Sequence, residues 1–482
     1  MASSLTAAQS RQLAEMVAVY PVALELGERF AAAGHELYLV GGTVRDTLLG
    51  RGDQPDLDFA TSARPEDTER LLKGWADAVW LTGAAFGTVS CQKADAKGDW
   101  TLEITTFRSD VYVPGSRHPE VTYGDAIEED LSRRDFTVNA MAVRVPDLQF
   151  VDPFGGLKDL HAKVLRTPVA PQQSFADDPL RMVRLARFAA VLGATPDAAA
   201  RSAAADMAGQ LDAVSRERIR IELDKLLVAE FAGAGLDLLV ETGLADRFLP
   251  ELPALRLERD PLHHHKDVYR HTLAVVENCP RHDVVLRLAA LLHDIGKPAT
   301  REFHPDGKVS FHHHEVVGAR MAEKRLKELK YPNEVVQQVR DLVFLHLRFH
   351  GYGEQAWTDS AVRRYARDAG TPQQLWRLNQ LTRADITTQN RAKARRLKAA
   401  VDELEQRIAL LEEQEELSKL RPALDGNEIM AHLRIPPGPL VGQAWNMLLE
   451  ARLDRGPMTA EEAYALLDEW ARTQGVPPDR EP

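Results

Sequence analysis

LYLVGGTVRDTLLGRGDQPDLDFA, at residues 37–60, is the stretch that decides the fold at the start of the chain. Its first four residues are apolar and favour extended backbone, so they predict a short buried strand. Gly41 and Gly42 then predict a tight turn that lets the backbone approach a ligand. Thr43 to Leu49 predicts the start of a helix, whose free N–H groups suit a phosphate.

The carboxylates of Asp56 and Asp58 lie two residues apart in the same stretch. On a strand they point to one face, and near a phosphate-binding turn they suit Mg²⁺ bound jointly by protein and nucleotide. Taken alone, a Gly-Gly pair is usually only a turn, and Asp-x-Asp is usually a solvated strand edge. The full order of strand, Gly-Gly, Arg-Asp and Asp-Leu-Asp is far more specific. It resembles the head of the class II tRNA nucleotidyltransferases, the family of CCA-adding enzymes and bacterial poly(A) polymerases.

The composition bounds the class of protein. The chain has 482 residues, enough for about three domains, and its 44% hydrophobic and 27% charged residues predict a soluble globular protein. Cys91 and Cys279 are too few and too distant to indicate a disulfide framework, so a reducing cytoplasm fits. The N-terminus lacks the apolar core of a signal peptide, so no signal peptide is expected. The sequence has no run of about 18 apolar residues, so no membrane helix is predicted.

The charge distribution leaves two interpretations open. A net charge of −12 argues against nucleic-acid binding over the whole surface, although local charge sets the footprint. One locally basic stretch, RAKARRLK at residues 391–398, is either an RNA-facing strip or the solvated face of a helix.

The predicted elements change character along the chain. The sequence predicts a helical region from Leu5 to Gly34, which Pro21 divides. An α/β region follows, and it contains the predicted strand WTLEITTF at residues 100–107. Residues 121–130 are acidic and predict a loop, whereas Phe136 to Val145 fits either strand or helix. From about Phe175 the chain is mostly helical, and residues 393–417 predict one long helix whose heptad-like stripe packs against the body.

The resemblance implies an α+β multidomain fold. A small polymerase-beta-like nucleotidyltransferase head, with a mixed sheet and helices, is expected at residues 1–150. A helical neck with a nucleotide-templating helix follows at 151–255, an HD-type helical body at 256–390, and a helical tRNA-binding tail at 391–482.

Glu103 is the third candidate catalytic carboxylate. It lies on the predicted strand at 100–107, on the face shared by Thr101 and Thr105. An exposed strand glutamate is usually only solvated, but the family resemblance places a third acidic residue on this strand, before Thr-Phe-Arg as here. Such a carboxylate binds metal or helps to remove the proton of the attacking hydroxyl.

Two further motifs carry arginines. RRDFTVNAM at residues 133–141 resembles the second motif of the family, in which a guanidinium fork suits triphosphate oxygens, and Arg134 is the favoured nucleotide contact. SRERIRIEL at residues 215–223 resembles a later motif and predicts a bracing helix. The resemblance also implies nucleotide contacts for Gly41, Gly42 and Arg45.

ADDPLRMVRLARF, at residues 176–188, supports two interpretations of Asp178. With Pro179 at the first helical position, Asp178 is a helix cap. Asp178 and Arg181 are also helix neighbours that can act as a pair, one accepting and one donating hydrogen bonds. Cytosine and adenine present an exocyclic amine beside a ring-nitrogen acceptor, whereas uracil and guanine present the reverse pattern. The resemblance assigns this templating role to the family's Glu/Asp-Asp-x-x-Arg motif, matched here by Asp177, Asp178 and Arg181. It implies base or phosphate contacts for Arg184 and Arg187.

A histidine-rich block is separate from these motifs. His271, the adjacent pair His293 and Asp294, and Asp385 follow in an order that resembles the HD phosphohydrolase superfamily. A lone core histidine is usually structural, but several matches in order favour a metal site, and imidazole with carboxylate suits a divalent transition metal or Mg²⁺. The candidates for a second metal site are His312, His313, His346 and, best placed, His314.

These resemblances imply template-independent addition of CCA to tRNA 3′ ends from CTP and ATP, with Mg²⁺ on Asp56 and Asp58 and release of pyrophosphate. A poly(A) polymerase, or an enzyme that adds only part of CCA, fits the same head motifs. Tyr112 and Arg117-His118-Pro119 resemble the flexible loop of full CCA-adding enzymes and favour complete addition. An HD-type phosphohydrolase with an RNA-binding head is disfavoured by the intact Asp-Leu-Asp. A non-catalytic RNA-binding scaffold is disfavoured by the number of ionisable groups at motif positions.

Overall fold

A computed structural model of the chain describes residues 5–51, 56–81, 83, 87–95, 98–108, 123–256, 267–305, 309–349, 352, 357–415 and 421–475. The chain divides into two compact units, unit 1 at Met1–Phe248 and unit 2 at Leu249–Pro482. Over the described ranges, no helix combines the length and apolarity needed to cross a membrane.

The sheet of unit 1 is mixed. Its strands are β1 (Leu37–Val40), β2 (Asp56–Thr61), β3 (Ala78–Trp80), β4 (Thr88–Asp95), β5 (Gly98–Thr106), β6 (Ala142–Val145) and β7 (Phe150–Val151). They lie in the order β3-β4-β5-β2-β1-β6-β7, and β2 runs parallel to β5. The predicted strands at Leu37, Asp56 and Trp100 are therefore confirmed, and all four residues of β1 are buried as expected for a central strand.

Helices surround the sheet and then extend beyond it. They are α1 (Ala7–Val19), α2 (Pro21–Ala32), α3 (Gly42–Leu48), α4 (Pro65–Leu72), α5 (Ile127–Ser132), α6 (Gly156–Ala162), α7 (Pro171–Asp177), α8 (Leu180–Leu192), α9 (Ala198–Asp206), α10 (Arg216–Leu227), α11 (Ala232–Glu241) and α12 (Ala245–Phe248). Short 3-10 helices lie at Thr137–Asn139 and Ala208–Ala213, and β8 (Val164–Leu165) pairs with β9 (Thr195–Pro196). The break between α1 and α2 falls at Pro21, as predicted.

One part of unit 1 differs from the predicted loop at residues 121–130. Helix α5 begins within it, and Glu128, Glu129 and Asp130 occupy its first turn. Acidic side chains stabilise the positive end of a helix, so the acidity that suggested a loop marks a helix start. The ambiguous segment Phe136 to Val145 contains both kinds of structure, the 3-10 helix and β6.

Unit 2 is helical apart from one two-stranded hairpin in its described part. Its helices are α13 (Glu251–Ala254), α14 (Val268–Asn278), α15 (Val284–Leu292), α16 (His314–Glu328), α17 (Asn333–Leu345), α18 (Asp359–Ala369), α19 (Pro372–Asp385), α20 (Arg391–Glu415), α21 (Gly426–Leu433), α22 (Pro439–Arg455) and α23 (Ala460–Thr473). The hairpin joins β10 (Glu302–Phe303) to β11 (Val309–Ser310), and a 3-10 helix lies at Pro298–Thr300. This confirms the prediction of a mostly helical second half.

The long helix α20 packs along one stripe. Val401, Leu404, Ile408 and Leu411 are buried, and the helix contacts α18 and α19. The predicted apolar stripe therefore faces the body, as expected for a helix too short to form a free coiled coil.

Candidate functional sites

The predicted nucleotide-binding residues of unit 1 converge on an open cavity of about 570 Å³, which we call the head cleft. It lies where the turn between β1 and α3 meets the segment after α5 and the start of α8. The predicted site residues that line it are Gly41, Gly42, Arg45, Asp58, Arg134, Asp178, Arg181, Arg184 and Arg187. Residues so distant in sequence become neighbours because α8 bonds to the segment after α5 through Arg181 and Arg184.

The candidate catalytic carboxylates at the head cleft lie on two adjacent parallel strands. Asp58 on β2 is the register partner of Glu103 on β5, and both side chains are exposed. Register partners in a parallel pair project to the same face of the sheet. Glu103 is not one of the lining residues, so it lies beside the cleft. For Asp56 the structure describes the backbone, as the first residue of β2, but not the side chain.

Gly41 sets how closely the backbone approaches this site. Its φ of 71° lies in the left-handed region, and it directly precedes α3. A Cβ added there would lie 3.1 Å from Nη1 of Arg134 and 4.0 Å from Oδ2 of Asp58. Glycine is therefore required both by backbone conformation and by the space that the arginine occupies.

The arginines around the cleft already contact protein carboxylates. Arg45 donates to both carboxylate oxygens of Asp46, at 2.9 and 2.7 Å, and its guanidinium lies 5.2 Å from the ring centre of Phe188. Arg133 and Arg134 both donate to the buried carboxylate of Asp130. Burial favours the neutral acid, but the positive charges of Arg134 and Arg133 outweigh it and lower the pKa of Asp130.

A second ion-pair network joins the 133–141 motif to α8 and α10. The Nε of Arg184 donates to Asp135 at 2.8 Å, and the Nε of Arg187 lies 2.8 Å from Glu222. Burial opposes the charged form of Asp135, yet the charge of Arg184 lowers its pKa. Burial also lowers the pKa of Arg187 to about 10, with Glu222 opposing that shift. The predicted bracing function of residues 215–223 corresponds to this contact between Glu222 and α8.

Asp178 and Arg181 both line the cleft, and the Arg181 N–H donates to the Asp178 carbonyl at 2.9 Å, but their side chains have different partners. Helix α8 begins at Leu180, so Asp178 precedes it in extended backbone. Its Oδ1 accepts from the Leu180 N–H at 3.2 Å, and its Oδ2 accepts from Arg218 at 2.8 Å. Arg181 instead donates to Ser174 Oγ at 2.9 Å and to the carbonyl of Arg133. Asp178 therefore occupies the cap position that the sequence also predicted, and the joint action of Asp178 and Arg181 on a base stays a prediction.

Several cleft residues were not predicted from the sequence. Asp46, Asn139, Phe188 and Lys225 also line it. Lys225 follows Glu222 by three residues on α10, which places both on one face of that helix. That spacing, two residues beyond the segment 215–223 assigned to bracing, was the available signal.

The predicted HD residues of unit 2 meet at the ends of three helices. His271 Nε2 lies 2.8 Å from Asp385 Oδ1, and His293 Nε2 lies 3.2 Å from Asp294 Oδ2. The donor atoms of His271, His293 and Asp385 all lie within 4.8 Å of one another, as a metal site requires. Of the second-site candidates, His314 and His346 join Asp294 in a similar group, whereas His312 and His313 are exposed outside it. We call these six residues the histidine centre: His271, His293, Asp294, His314, His346 and Asp385.

His293 shows most directly that this site fits a metal ion. Its Nδ1 lies 2.8 Å from the carbonyl oxygen of Ala290, and because a carbonyl only accepts hydrogen bonds, Nδ1 carries a proton and Nε2 is the nitrogen that remains for a ligand. That Nε2 is buried and has no hydrogen-bond partner among the described residues, although a carboxylate oxygen of Asp294 is 3.2 Å away. The short distance without hydrogen-bond geometry suits two ligands that face a common cation.

A mixed sheet carrying exposed carboxylates beside an arginine-rich cleft, followed by a histidine centre, defines a nucleotidyltransferase head joined to an HD-type helical region. Family models agree: the poly A polymerase head domain matches residues 37–166, and the HD domain matches residues 263–390. The probable RNA and SrmB-binding site of polymerase A matches residues 195–255.

Individual relatives extend this result. The chain is 35% identical to the A-adding tRNA nucleotidyltransferase of Deinococcus radiodurans, over 90% of this chain and 95% of that protein. It is 42% identical to the CCA-adding enzyme of Streptococcus gordonii, over 50% of this chain and 58% of that protein. The crystal structure of Bacillus stearothermophilus CCA-adding enzyme in complex with CTP matches with a TM-score of 0.68 and 28% identity, covering 95% of this chain and 98% of that one. The chain therefore belongs to the class II tRNA nucleotidyltransferases, the family of CCA-adding enzymes and bacterial poly(A) polymerases.

Proposed function

We propose that this protein adds CCA to the 3′ end of tRNA, using CTP and ATP and releasing pyrophosphate. The observation that carries the proposal is the head cleft, which places Asp58 beside Gly41 and a set of arginines. An exposed carboxylate next to guanidinium groups suits a bound triphosphate whose charge is shared between metal and protein. The family relationship supplies the substrate class.

Within the cleft, we propose Asp56, Asp58 and Glu103 as the catalytic carboxylates. Oxygen ligands of this kind fit Mg²⁺, which, when bound, supplies charge neutralisation for phosphoryl transfer. The primer 3′-hydroxyl oxygen attacks the α-phosphorus in line, its proton passes to a carboxylate, and the bond to pyrophosphate breaks. Gly41, Gly42, Arg45 and Arg134 are proposed to position the triphosphate.

Asp178 and Arg181 are proposed to select the base, with Arg184 and Arg187 supporting them. Asp178 supplies a hydrogen-bond acceptor for an exocyclic amine, and Arg181 supplies a donor for a ring nitrogen. Both side chains line the cleft from the segment that opens α8. Cytosine and adenine match this pattern, whereas uracil and guanine would place a carbonyl against the Asp178 carboxylate and a ring N–H against the Arg181 guanidinium.

A second candidate is addition of the terminal A alone, because a relative aligned over 95% of its length is an A-adding enzyme. Tyr112 and Arg117 to Pro119, which favoured complete addition, lie outside the described residues. The experiment that decides between the candidates uses three tRNA transcripts, which end before CCA, after C and after CC. Each transcript is incubated with CTP, with ATP or with both. We expect the enzyme to extend all three. Extension of only the CC end indicates A addition, long A tails indicate a poly(A) polymerase, and no extension contradicts the proposal.

The remaining assignments concern organisation and location. We propose a head at residues 1–150, a neck at 151–255, an HD-type body at 256–390 and a tRNA-binding tail at 391–482, acting in the cytoplasm.

The basic strip at residues 391–398 supports an RNA-facing surface, because its arginines and lysines are largely exposed on α20. The test measures the tRNA affinity of a variant with Arg395→Gln and Arg396→Gln over a series of salt concentrations. Weaker binding than the parent supports an RNA-facing surface. An unchanged affinity and salt slope identify the strip as a solvated helix face.

For unit 2 we propose a transition-metal site on His271, His293, Asp294 and Asp385, with phosphohydrolase activity. Nitrogen and carboxylate donors together fit Mn²⁺, Co²⁺, Ni²⁺ or Zn²⁺ better than they fit Mg²⁺. The burial of His293 and Asp294 keeps these donors in place before a ligand arrives. Phosphate release from a phosphomonoester in the presence of each ion tests the activity, with a chelator as control.

A further inference from the structure

A second cavity, of about 550 Å³, lies within unit 2 between α19 and α20, and we call it the α19–α20 cavity. Its volume suits a small-molecule ligand. The lining residues of α19, from Pro372 to Gln380, recur at intervals of three and four, and so do those of α20, from Glu405 to Glu412. One face of each helix is therefore directed into the cavity.

The space between these helices is kept open by small residues and a fixed ion pair. Ala366 and Ala409 line the cavity, and a Cβ added to Gly370 would meet no heavy atom within 4 Å. Arg383 donates to both carboxylate oxygens of Glu405, at 2.6 and 2.8 Å, and so ties α19 to α20. The cavity is therefore formed by the fold itself, before a ligand binds.

The walls of the cavity suit a flat ligand with apolar faces. Leu375 and Ile408 line it together with the half-buried indole of Trp376. The ring of His282 lies 5.9 Å from that of Trp376 at an interplanar angle of 32°, which supports the indole from outside the cavity lining. A heteroaromatic ring that stacks on an indole gains apolar burial and a favourable π contact.

Asn379 is the most buried polar side chain that lines the cavity, with 5% of its surface exposed. Burial raises the pKa of Tyr365, so the phenol keeps its proton and donates to Asn379 Oδ1 at 2.8 Å. This bond fixes the orientation of the amide. Across the described ranges the Nδ2 of Asn379 has no hydrogen-bond partner. A buried donor without a partner costs free energy, and an acceptor on a ligand would remove that cost.

Gln380 follows Asn379 on α19 and supplies a complete recognition edge. Its amide carries one acceptor and one NH₂ donor group, and neither has a partner in the part of the chain that the structure describes. Such an amide forms two hydrogen bonds with adenine, one to the exocyclic amine and one to the neighbouring ring nitrogen. Hypoxanthine has a carbonyl in place of that amine, so it would set acceptor against acceptor.

The charges around the cavity disfavour a phosphate. Glu405 and Glu412 both line it. Arg367 lines it as well, but this guanidinium already donates to Glu450 at 2.9 Å and to Asp368 at 2.8 Å. A phosphate here would meet two carboxylates and a guanidinium whose charge is already balanced, so an uncharged ligand fits better.

We propose that the α19–α20 cavity binds adenosine, an adenine base on an uncharged ribose. The base stacks on Trp376, Gln380 pairs with its amine and the adjacent ring nitrogen, and Asn379 Nδ2 donates to a further ring nitrogen. The ribose hydroxyls donate to the carboxylate of Glu412. This site is a function beyond nucleotide addition, because its residues belong to unit 2 and none of them is proposed to bind the incoming nucleotide or a metal ion.

The test is isothermal titration of the full-length chain with adenosine, without Mg²⁺ or nucleoside triphosphate. We expect Gln380→Leu to weaken binding roughly ten- to a hundredfold, which is the discrimination expected from a paired amide and adenine. Gln373→Leu is the matched control, since Gln373 is exposed on the same helix outside the cavity, and it should keep the parent affinity. Ala409→Phe places a ring in the space for the base and should abolish binding.

Two related ligands test the chemistry of recognition. Inosine should bind the parent more weakly than adenosine by the same factor as the Gln380→Leu loss, and it should be little affected by that substitution. AMP should also bind more weakly than adenosine, and added salt should narrow this difference because it screens the repulsion of the phosphate by Glu405 and Glu412. Equal affinities for adenosine and inosine, or tighter binding of AMP, overturn the proposal.

The location of the bound ligand is tested separately. A photoactivatable azido-adenosine should crosslink to peptides of α19 or α20, and Ala409→Phe should remove those crosslinks. If Gln380→Leu fails to fold, Ala409→Phe answers the same question, because Ala409 is an exposed position. No saturable binding by the parent, or an affinity that neither substitution changes, overturns the proposal. Nucleotide addition by Ala409→Phe reports separately on the head cleft and should match the parent.

Discussion

The head cleft and the histidine centre both bring carboxylates together with basic side chains, but they hold them in opposite ways. In the head cleft Asp58 is exposed on a strand, and the guanidinium groups around it are held by Asp46, Asp130 and Asp135. In the histidine centre His293 and Asp294 are each only 1% exposed. The imidazoles of His293, His314 and His346 there are oriented by hydrogen bonds to backbone carbonyls.

This difference indicates different relationships to metal. Mg²⁺ keeps several waters and binds through one or two carboxylates plus substrate phosphates, so an open site with oxygen ligands suits an ion that arrives with each nucleotide. A buried site with nitrogen ligands and fixed tautomers suits an ion that stays bound between turnovers. We therefore expect the head site to be completed by the metal-bound nucleotide and the histidine centre to bind its ion without substrate.

The largest expected effect comes from removing the exposed carboxylate. Asp58→Asn keeps the shape of the side chain and removes its charge, so we expect nucleotide addition to fall at least about a hundredfold. The melting temperature should stay close to that of the parent. Asp99→Asn, at an exposed position near the start of β5, is the matched control. Near-normal addition by Asp58→Asn in Mg²⁺ would contradict the catalytic assignment.

The next prediction concerns the independence of the two sites. We expect His293→Ala with Asp294→Ala to abolish phosphoesterase activity and to leave nucleotide addition within about twofold, since these residues lie in the separate helical unit. Both activities are measured on one preparation whose helix content matches the parent. A folded variant that loses nucleotide addition would show that the sites are coupled.

Base selection should change less than catalysis. Asp178→Ala removes the proposed acceptor for the exocyclic amine, and an unmet hydrogen bond costs about 1–3 kcal/mol, so discrimination of CTP against UTP should fall roughly ten- to a hundredfold. Arg181→Ala should act similarly and also weaken nucleotide binding.

The matched variant for Asp178 is Asp178→Ser, because serine still accepts a hydrogen bond from the Leu180 N–H. The ratio of kcat/KM for CTP and UTP is measured in both variants. If only Asp178→Ala lowers the melting temperature, and neither variant changes the ratio of kcat/KM values, then Asp178 acts only as a helix cap.

The smallest effect is on stability. Asp135→Asn removes the negative charge of the buried partner in the ion pair with Arg184. Because the Arg184 side chain is 33% exposed, we expect the free energy of unfolding to fall by about 2 kcal/mol, which is less than the cost for a fully buried pair. The pKa of Asp135 is lowered in the folded state. Its contribution is therefore present above the unfolded pKa of about 4 and is lost as pH falls toward the folded value.

The difference in melting temperature between parent and Asp135→Asn should consequently be largest near neutral pH and shrink on acidification below about pH 4. Asp206→Asn, at an exposed position on α9, is the control and should show no such trend. A constant difference across pH would mean that Asp135 contributes through packing rather than through charge.

The sequence by itself determined the elements whose cause is local. Four apolar residues before Gly41 specify β1, the Pro21 ring separates α1 from α2, and the apolar stripe of α20 specifies a helix packed on one side. These patterns depend on neighbours within one or two turns, so they are visible without a fold. Motif order likewise indicated the family that the relatives later established.

Tertiary structure decided which side chains meet. The register that sets Asp58 opposite Glu103, the bond from Arg218 to Asp178, and the placement of His314 beside Asp294 each join residues that are distant in sequence. Local pattern favoured His314 over His313 but could not show that His314 lies beside Asp294, nor that α8 begins only at Leu180. Long-range contacts depend on how whole elements pack, and packing is settled by burial summed over the fold rather than by any single segment.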